Sequence, residues 1–259
     1  MSDFENLAIA HEGGITTITV DRPKVLNALN EATLLELERA VTSLPAETRV
    51  VVLTGAGDKA FVAGADIAAM ADFGPQEAEA FSQLGHRVMN TIEELTVPVI
   101  AAVNGFALGG GCELMLACDF AVAADNARIG VPEVTLGVIP GFGGTVRLAN
   151  RVGVARARQL MFTGLPVKAD EAARMGLVNE AVPKIELMGH VHYIADKIAK
   201  NAPKAVAFAK RAARVAEQSH PRVAGTFEQE LFAMTFATAD QKEGMTAFLE
   251  KRPAAWKGH

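Results

Sequence analysis

Cysteine and aromatic residues are scarce in this chain of 259 residues, and long apolar runs are missing. Cys112 and Cys118 are the only cysteines, and no second pair of metal ligands accompanies them, which excludes a disulfide framework and a zinc site. We therefore expect two buried thiols in a reducing compartment. No apolar segment approaches the roughly 18–20 residues of a membrane span, and the acidic, polar start at 1–6 does not resemble a signal peptide. The sequence predicts a cytoplasmic protein without membrane contact.

Blocks of a single charge sign are also missing. The net charge is −5, and acidic and basic residues are interleaved throughout. Because no Lys/Arg run is long enough to follow a phosphate backbone, binding to nucleic acid is not expected. The basic residues at helical spacing, Lys197–Lys200–Lys204 and Lys210–Arg211–Arg214, are interpreted as solvated helix faces.

Several standard catalytic motifs do not occur. The sequence has no Gly-x-Gly-x-x-Gly before a helix, no P-loop, no His-Glu-x-x-His and no Gly-x-Ser-x-Gly. The serines lie outside the glycine-rich turns, and the histidines are scattered. We therefore expect neither a dinucleotide cofactor, nor a metal, nor a serine nucleophile.

What the chain does contain is alternating strand and helix patterns in its first two thirds, then helical patterns to the end. Gly13-Gly14 predicts a hairpin turn, Asn30 a helix N-cap, and Pro75 a long helix that ends before Pro98. Predicted strands cover 7–10, 15–20, 50–54, 60–65, 99–103, 120–124 and one near 177–182; predicted helices cover 30–44, 75–97, the segment after the glycine-rich turn 105–111, and most of 203–256. This order indicates an α/β fold with a helical C-terminal part.

Two glycine-rich segments follow extended pieces, at 61–67 and at 104–114. Successive glycines before a helix leave backbone N–H groups reachable, and the helix start adds a positive dipole end. A pair of such N–H groups, one from each segment, can form an oxyanion hole for a thioester carbonyl that turns into an enolate. The alternative is purely structural, because glycines before a helix often only permit a tight turn.

Glu113 and Glu133 stand out because both lie in apolar surroundings. A carboxylate is costly there unless it is paired or functional. Burial raises a carboxyl pKa, and two neighbouring carboxylates raise one pKa further, which can make an acid and a base from identical groups. The alternative is that each glutamate only interacts with a helix dipole, Glu113 in a first turn and Glu133 after Pro132.

Together these segments resemble the crotonase superfamily, and its enoyl-CoA hydratase branch in particular. The matching stretches are 22–29, 61–67, 98–119, 131–147 and 240–252, in order and with few length changes. The resemblance implies a crotonase-like spiral of ββα turns with a helical C-terminal part. It divides the chain into a spiral core at 1–200 and a helical trimerisation region at 201–259, and implies a homotrimer or a dimer of trimers.

By position, the resemblance assigns Ala65 and Gly110 as oxyanion-hole N–H donors and Glu113 and Glu133 as the catalytic pair. Many hydratases carry lysine beside the CoA phosphates where this chain has Ala68. The residues expected to bind the substrate are Lys24, Val25, Leu26, Ala63, Asp66, Ile67, Gly109, Gly141, Phe248 and Lys251, with Phe248 and Lys251 reaching it across a subunit boundary.

The implied activity is hydration of short-chain 2-trans-enoyl-CoA to 3-hydroxyacyl-CoA, with coenzyme A entering as part of the substrate and no separate cofactor. Retention of both glutamates favours hydration over double-bond isomerisation or another crotonase-type reaction. An RNA-binding relative is disfavoured by the scattered charge. A catalytically inert subunit is disfavoured because bulk packing needs neither the glutamates nor the glycine turn.

Overall fold

The computed structural model describes residues 4–258, which form two sheets with helices packed around them. The strands are β1 (Leu7–Glu12), β2 (Ile15–Val20), β3 (Val50–Gly55), β4 (Ala60–Val62), β5 (Val99–Val103), β6 (Phe106–Leu108), β7 (Phe120–Ala124), β8 (Arg128–Gly130), β9 (Val167–Lys168) and β10 (Glu180–Val182). The α-helices are α1 (Glu31–Thr42), α2 (Ile67–Met70), α3 (Pro75–Glu94), α4 (Gly110–Ala117), α5 (Gly144–Val152), α6 (Val154–Thr163), α7 (Ala169–Arg174), α8 (Leu187–Ala199), α9 (Pro203–Gln218), α10 (Pro221–Thr235) and α11 (Ala239–Leu249). Short 3-10 helices cover Pro23–Val25, Glu133–Leu136 and Lys184–Glu186.

The predicted hairpin opens the larger sheet. β1 and β2 pair antiparallel, and Gly13 and Gly14 turn the chain with φ values of 57° and 82°. This left-handed backbone is easily reached by glycine. The sheet continues in the order β1-β2-β3-β5-β7-β10, and from β2 onward neighbouring strands are parallel.

A strand–strand–helix unit repeats three times along the chain. β3, β5 and β7 are neighbours in the larger sheet, and the strands that follow them, β4, β6 and β8, are neighbours in a smaller sheet. Each pair leads to a helix: α3, preceded by the short α2, then α4, then α5. The chain therefore winds as a spiral of ββα turns, as the resemblance implies.

The central strands are apolar on both faces because both faces are covered. In β3, Val50 and Val52 pack under α8 with Val191, whereas Val51 and Leu53 face the main core. This explains why the segment at 50–54 is mostly β-branched and shows no alternation of apolar and polar residues.

The predicted element boundaries are mostly correct to within a few residues, and three of the differences lie at 60–65, at 105–111 and at the C-terminal helix. The extended piece expected at 60–65 ends at Val62, because the chain turns at Gly64, where φ is 122°. The expected turn at 105–111 contains the short strand β6 before α4 begins. The C-terminal helix ends at Leu249, not near Trp256; residues after it fold back, with Asp240 accepting the Lys257 and Gly258 N–H groups at 2.6 and 2.9 Å.

The basic block Lys210–Arg211–Arg214 was expected to be a solvated helix face, but two of its side chains form ion pairs with the rest of the protein. The Lys210 side chain on α9 is 9% exposed and forms an ion pair of 2.8 Å with Asp119. Arg214, one turn later, reaches Glu93 and Glu94 on α3. These pairs dock α9 on the spiral, while the predicted division of the chain at residue 200 stays a prediction.

Both cysteines are buried and unbridged, as expected, and burial raises the pKa of both thiols. Among the helices of residues 4–258, none is long and apolar enough to cross a membrane.

Candidate active site

An apolar cavity of about 340 Å³ lies where the β4–α2 connection, the start of α4, α3 and the 132–142 segment meet. All four residues predicted to be catalytic line it, together with four of the predicted substrate-binding residues. These eight residues are Ala63, Ala65, Ile67, Gly109, Gly110, Glu113, Glu133 and Gly141. The other predicted binding residues lie outside its lining.

The glycine-rich wall brings two backbone segments into contact. A Cβ atom built on Gly110 would lie 3.5 Å from the Ala65 nitrogen, so the two loops touch. Within residues 4–258 neither the Ala65 N–H nor the Gly110 N–H has a hydrogen-bond acceptor. Gly109, with φ at 52°, sets the angle at which α4 leaves β6. Two unpaired donors therefore stand side by side at the cavity wall.

Glu113 reaches the cavity from the first turn of α4 and is 1% exposed. Its Oε1 atom accepts two backbone hydrogen bonds of 2.7 Å, from the N–H groups of Phe142 and Gly144. Burial raises the pKa of the Glu113 carboxyl, whereas these N–H groups and the Arg147 guanidinium oppose the shift. Burial thus makes the charged form of Glu113 energetically unfavourable, while two fixed N–H donors stabilise it.

Glu133 begins the 3-10 helix Glu133–Leu136 and also lines the cavity. Within residues 4–258 neither of its carboxyl oxygens, both buried, has a hydrogen-bond partner. Burial raises the pKa of Glu133 to about 7; its own backbone N–H opposes the shift and the Glu113 carboxylate adds to it. Its Oε1 lies 3.2 Å from the position of a Cβ atom on Gly109, so any side chain there would crowd the carboxyl.

In the loop that holds Glu113, the sequence pointed to Gly141 but not to Phe142 and Gly144, whose N–H groups donate to the carboxylate. A Cβ atom on Gly144 would lie 2.9 Å from Oε1 of Glu113, and Gly143 adopts φ of 101°. Both positions therefore need glycine for the loop to present its N–H groups. The available signal was the Gly143-Gly144 pair before a helix, the same pattern that drew attention to Gly109–Gly111.

Aromatic side chains close the apolar side of the cavity. Phe73, Phe81 and Phe142 form a chain of edge-to-face contacts with centroid separations of 5.8 and 5.3 Å. The Phe142 ring occupies space that a side chain at Gly85 would need, since a Cβ there would lie 2.0 Å from it. Such contacts hold the ring firmly between α3 and the start of α4.

Three of the residues predicted to bind the substrate, Lys24, Val25 and Leu26, lie on the turn 23–26. Leu26 accepts the Ala63 N–H at 3.1 Å, which places the turn, with Lys24 and Val25, next to the glycine-rich wall. Asp66 lies at the N-cap position of α2, and its carboxylate pairs with Arg22 at 3.2 Å. This ion pair ties the two segments together.

Phe248 and Lys251 lie on α11 and just after it, outside the cavity lining. Phe248 is 82% exposed, and Lys251 is also exposed. Within one protomer they do not meet the residues at the cavity, so their predicted contact with substrate across a subunit boundary stays a prediction. No group of three or more His, Cys, Asp or Glu side chains in the described part of the chain could hold a metal ion.

A profile of the enoyl-CoA hydratase/isomerase family matches residues 10–259. The short-chain-enoyl-CoA hydratase of Clostridium acetobutylicum is 49% identical, covering 96% of this chain and 97% of the relative. The crotonyl-CoA hydratase of Syntrophomonas wolfei is 50% identical, covering 97% of each chain.

Solved structures show the same similarity. The crystal structure of an enoyl-CoA hydratase from Bacillus anthracis matches with a TM-score of 0.96 at 41% identity, covering 98% of this chain and 100% of that one. A structure from Geobacillus kaustophilus matches with a TM-score of 0.94 at 42% identity and covers 100% of both chains. The spiral fold predicted from the sequence is thereby confirmed, and the chain belongs to the enoyl-CoA hydratase/isomerase family.

Proposed function

We propose that this protein adds water across the C2=C3 double bond of short-chain 2-trans-enoyl-CoA thioesters and releases 3-hydroxyacyl-CoA. The observation that carries the proposal is the meeting, in one apolar cavity, of the buried Glu113, the buried carboxyl oxygens of Glu133 and two backbone N–H groups without an acceptor within residues 4–258. Family membership supports this reaction, as do the hydratase names of the two relatives.

The N–H groups of Ala65 and Gly110 would bind the thioester oxygen. As water adds at C3, electron density moves through C2 to that oxygen, which gains enolate character. Donors that are fixed before the reaction stabilise this charge without having to reorganise, and losing one donor of this kind typically costs about 10²–10³-fold in rate. The unpaired state of both N–H groups fits this role.

The two glutamates would divide the proton transfers. Glu113, whose carboxylate is supported by two N–H donors, would accept a proton from the attacking water. Glu133 has no such donors and a pKa of about 7, so it would deliver a proton to C2. Because the two carboxyls influence each other, the pair titrates as a unit. The hydroxyl group of the water would end on C3 and the Glu133 proton on C2. The proton taken up by Glu113 would then replace the one lost by Glu133, which restores both glutamates and balances the addition of one water molecule.

The cavity supports a small acyl group. Its volume is about 340 Å³, and the Phe73, Phe81 and Phe142 rings form its apolar wall. Burying a short hydrocarbon chain there would contribute about 0.8 kcal/mol for each CH₂ group. No cofactor beyond coenzyme A, itself part of the substrate, enters the proposed reaction.

The remaining predicted contacts belong to the same proposal. Lys24, Val25 and Leu26 would follow the coenzyme A groove beside Ala63, while Phe248 and Lys251 would come from a neighbouring copy. A homotrimer or a dimer of trimers would bring them there, and the C-terminal helices carry exposed apolar side chains suited to assembly: Phe232, Phe236, Met245, Phe248 and Leu249. We also propose that the protein is located in the cytoplasm.

Double-bond isomerisation is the second candidate. The unpaired carboxyl of Glu133, with a pKa of about 7, is suited to carry a proton between C2 and C4 of an acyl thioester. This reaction needs one proton-carrying carboxylate and would leave Glu113 without a chemical task.

The test follows the loss of conjugated-thioester absorbance when the protein is mixed with crotonyl-CoA, with identification of the product. We expect 3-hydroxybutyryl-CoA from the parent, and a rate lower by about 10²–10⁴-fold in Glu133→Gln, because the variant lacks the proton donor. Glu186→Gln, which alters an exposed glutamate in another 3-10 turn, serves as the matched control. Conversion of a 3-enoyl-CoA without hydration of crotonyl-CoA would instead favour the isomerase.

A further inference from the structure

Hydrogen bonds to surrounding side chains hold the peptide units between Gly141 and Gly144 in place. On the cavity side, the Phe142 and Gly144 N–H groups both donate to Glu113. At the start of the loop, the Ser82 hydroxyl of α3, which also lines the cavity, donates to the Gly141 carbonyl at 2.6 Å. That carbonyl belongs to the same planar unit as the Phe142 N–H, so fixing one end of the unit orients the other.

The middle unit of this loop is held by Arg147. Its Nη1 donates to the Phe142 carbonyl at 3.0 Å, while Nε and Nη2 bind Oε2 of Glu93 at 3.1 and 2.7 Å. Nη2 also donates to Asn90 at 2.6 Å. Gly143 makes room for this fork, because a Cβ atom there would lie 2.2 Å from Nη1. The guanidinium thus connects the loop to two side chains on α3.

We propose that Arg147 is a positioning residue for Glu113. By fixing the 142–143 peptide plane against α3, it aims the two flanking N–H groups at the carboxylate that would activate water. The inference rests on the proposed function, because Glu113 has a chemical role only in that reaction. Arg147 lies outside the cavity lining and contacts the site only through the loop backbone.

A purely structural brace between α3 and α5 would have different consequences. Replacing a brace by a side chain of the same charge, as in Arg147→Lys, lowers stability and the folded fraction but leaves the proton affinity of Glu113 in the folded protein unchanged. Loosening the loop, by contrast, weakens two hydrogen bonds that favour the carboxylate over the neutral acid. The pKa of Glu113 then rises, the base is protonated over a wider range, and the acid limb of the rate profile moves to higher pH. Arg147→Gln also removes a positive charge that lowers the pKa of Glu113, so the lysine variant is the one that isolates the position of the loop.

Other charged and titratable groups lie near Glu113 and Arg147, and they can also affect the pH profile. Glu133 lines the same cavity as Glu113, the Glu113 carboxylate raises the pKa of Glu133, and the buried thiol of Cys112 precedes Glu113 in the chain. The charged and titratable side chains around Arg147 are His86, Glu93, Glu94 and Arg214. A His86→Gln variant, measured over the same pH range, controls for this histidine.

The experiment measures crotonyl-CoA hydration against pH for Arg147→Lys and Arg147→Gln. Lysine keeps the charge but cannot hold the Phe142 carbonyl and Glu93 with one planar fork. We expect kcat to fall about 10- to 100-fold with little change in KM, since a displacement of about 1 Å at a catalytic group costs up to about 10²-fold. The acid limb should move to higher pH in both variants, and further in Arg147→Gln.

Arg151→Lys is the matched control. Arg151 lies one turn further along α5 and also donates to backbone carbonyls, but to those of Cys118 and Asp119. Its variant should keep the parent's kcat and pH profile. If neither Arg147 variant folds, Glu93→Gln loosens the anchor while keeping Arg147, and should produce the same shift with a smaller loss.

An acid limb at the parent's position in folded Arg147 or Glu93 variants would overturn the inference, as would a kcat loss that only follows the folded fraction. Those results leave the proposed function intact, provided that the parent hydrates crotonyl-CoA. A parent without hydratase activity would instead remove the proposed function itself.

Discussion

The two walls of the cavity carry the same side chain in opposite environments. Every residue of α4, from Gly110 to Ala117, is buried, whereas the turn Glu133–Leu136 contains no fully buried residue. Glu113 on the first wall is held by two backbone donors, while Glu133 on the second has no hydrogen-bond partner within residues 4–258. One wall belongs to the core, and the other rests on it.

This difference shows how one residue type can perform two roles. Backbone N–H groups favour a carboxylate, and burial without donors favours a neutral acid. Two backbone hydrogen bonds support the charged form of Glu113, whereas within residues 4–258 the carboxyl oxygens of Glu133 have no hydrogen-bond partner. The unsupported acid lies on the less buried wall, where changing its side chain disturbs little packing.

The largest effect on the α4 wall is expected at its first residue. Gly110→Pro removes the N–H donor, and proline is otherwise tolerated at the first position of a helix. Gly110→Ala keeps the donor but adds a Cβ atom 3.2 Å from the Phe142 ring, so it controls for crowding. In a crotonyl-CoA assay, Gly110→Pro should be slower than Gly110→Ala by about 10²–10³-fold. Equal rates in two folded variants would contradict a role for this N–H group.

The second-largest effect is a difference in the free energy of unfolding between variants of Glu113 and variants of Glu133. Glu113→Ala leaves the Phe142 and Gly144 N–H groups unpaired, which costs about 1–3 kcal/mol for each buried donor. Glu113→Gln retains an acceptor oxygen and should lose much less. Glu133→Ala leaves no donor unpaired, so we expect a smaller loss. Urea denaturation at one fixed protein concentration measures all three, and a cost for Glu133→Ala equal to that of Glu113→Ala would contradict the difference between the walls.

The smallest effect concerns pH. The folded pKa of Glu133, about 7, lies above its ordinary value of 4.5, so the folded protein binds the extra proton between these values. This contribution to stability is fully present below the ordinary value and is lost as pH rises through about 7. From pH 5 to pH 8, the Tm of the parent should therefore fall relative to that of Glu133→Gln. Parallel Tm curves for the two proteins would show that Glu133 is not held as a neutral acid.

Most long elements could be predicted from the sequence because their signals are local. Asn30 caps α1 and accepts the Thr33 N–H at 2.9 Å, and Pro75 lies in the first turn of α3, as expected. The short strands β6, β8 and β9 were not predicted. Each has two or three residues, too few to show a period, and pairs with a strand distant in sequence.

The sequence by itself determined the alternation of strands and helices, the glycine-rich start of α4, and the choice of Glu113 and Glu133 as candidates, since these depend on composition and spacing. Only the tertiary structure decided that two backbone N–H groups donate to Glu113 and that, within residues 4–258, no hydrogen-bond partner meets the carboxyl of Glu133. Phe142 and Gly144 lie about thirty residues after Glu113, and a short 3-10 turn aims Glu133. Such contacts depend on how the spiral turns stack, and side-chain periodicity carries no information about which distant N–H group will meet a carboxylate.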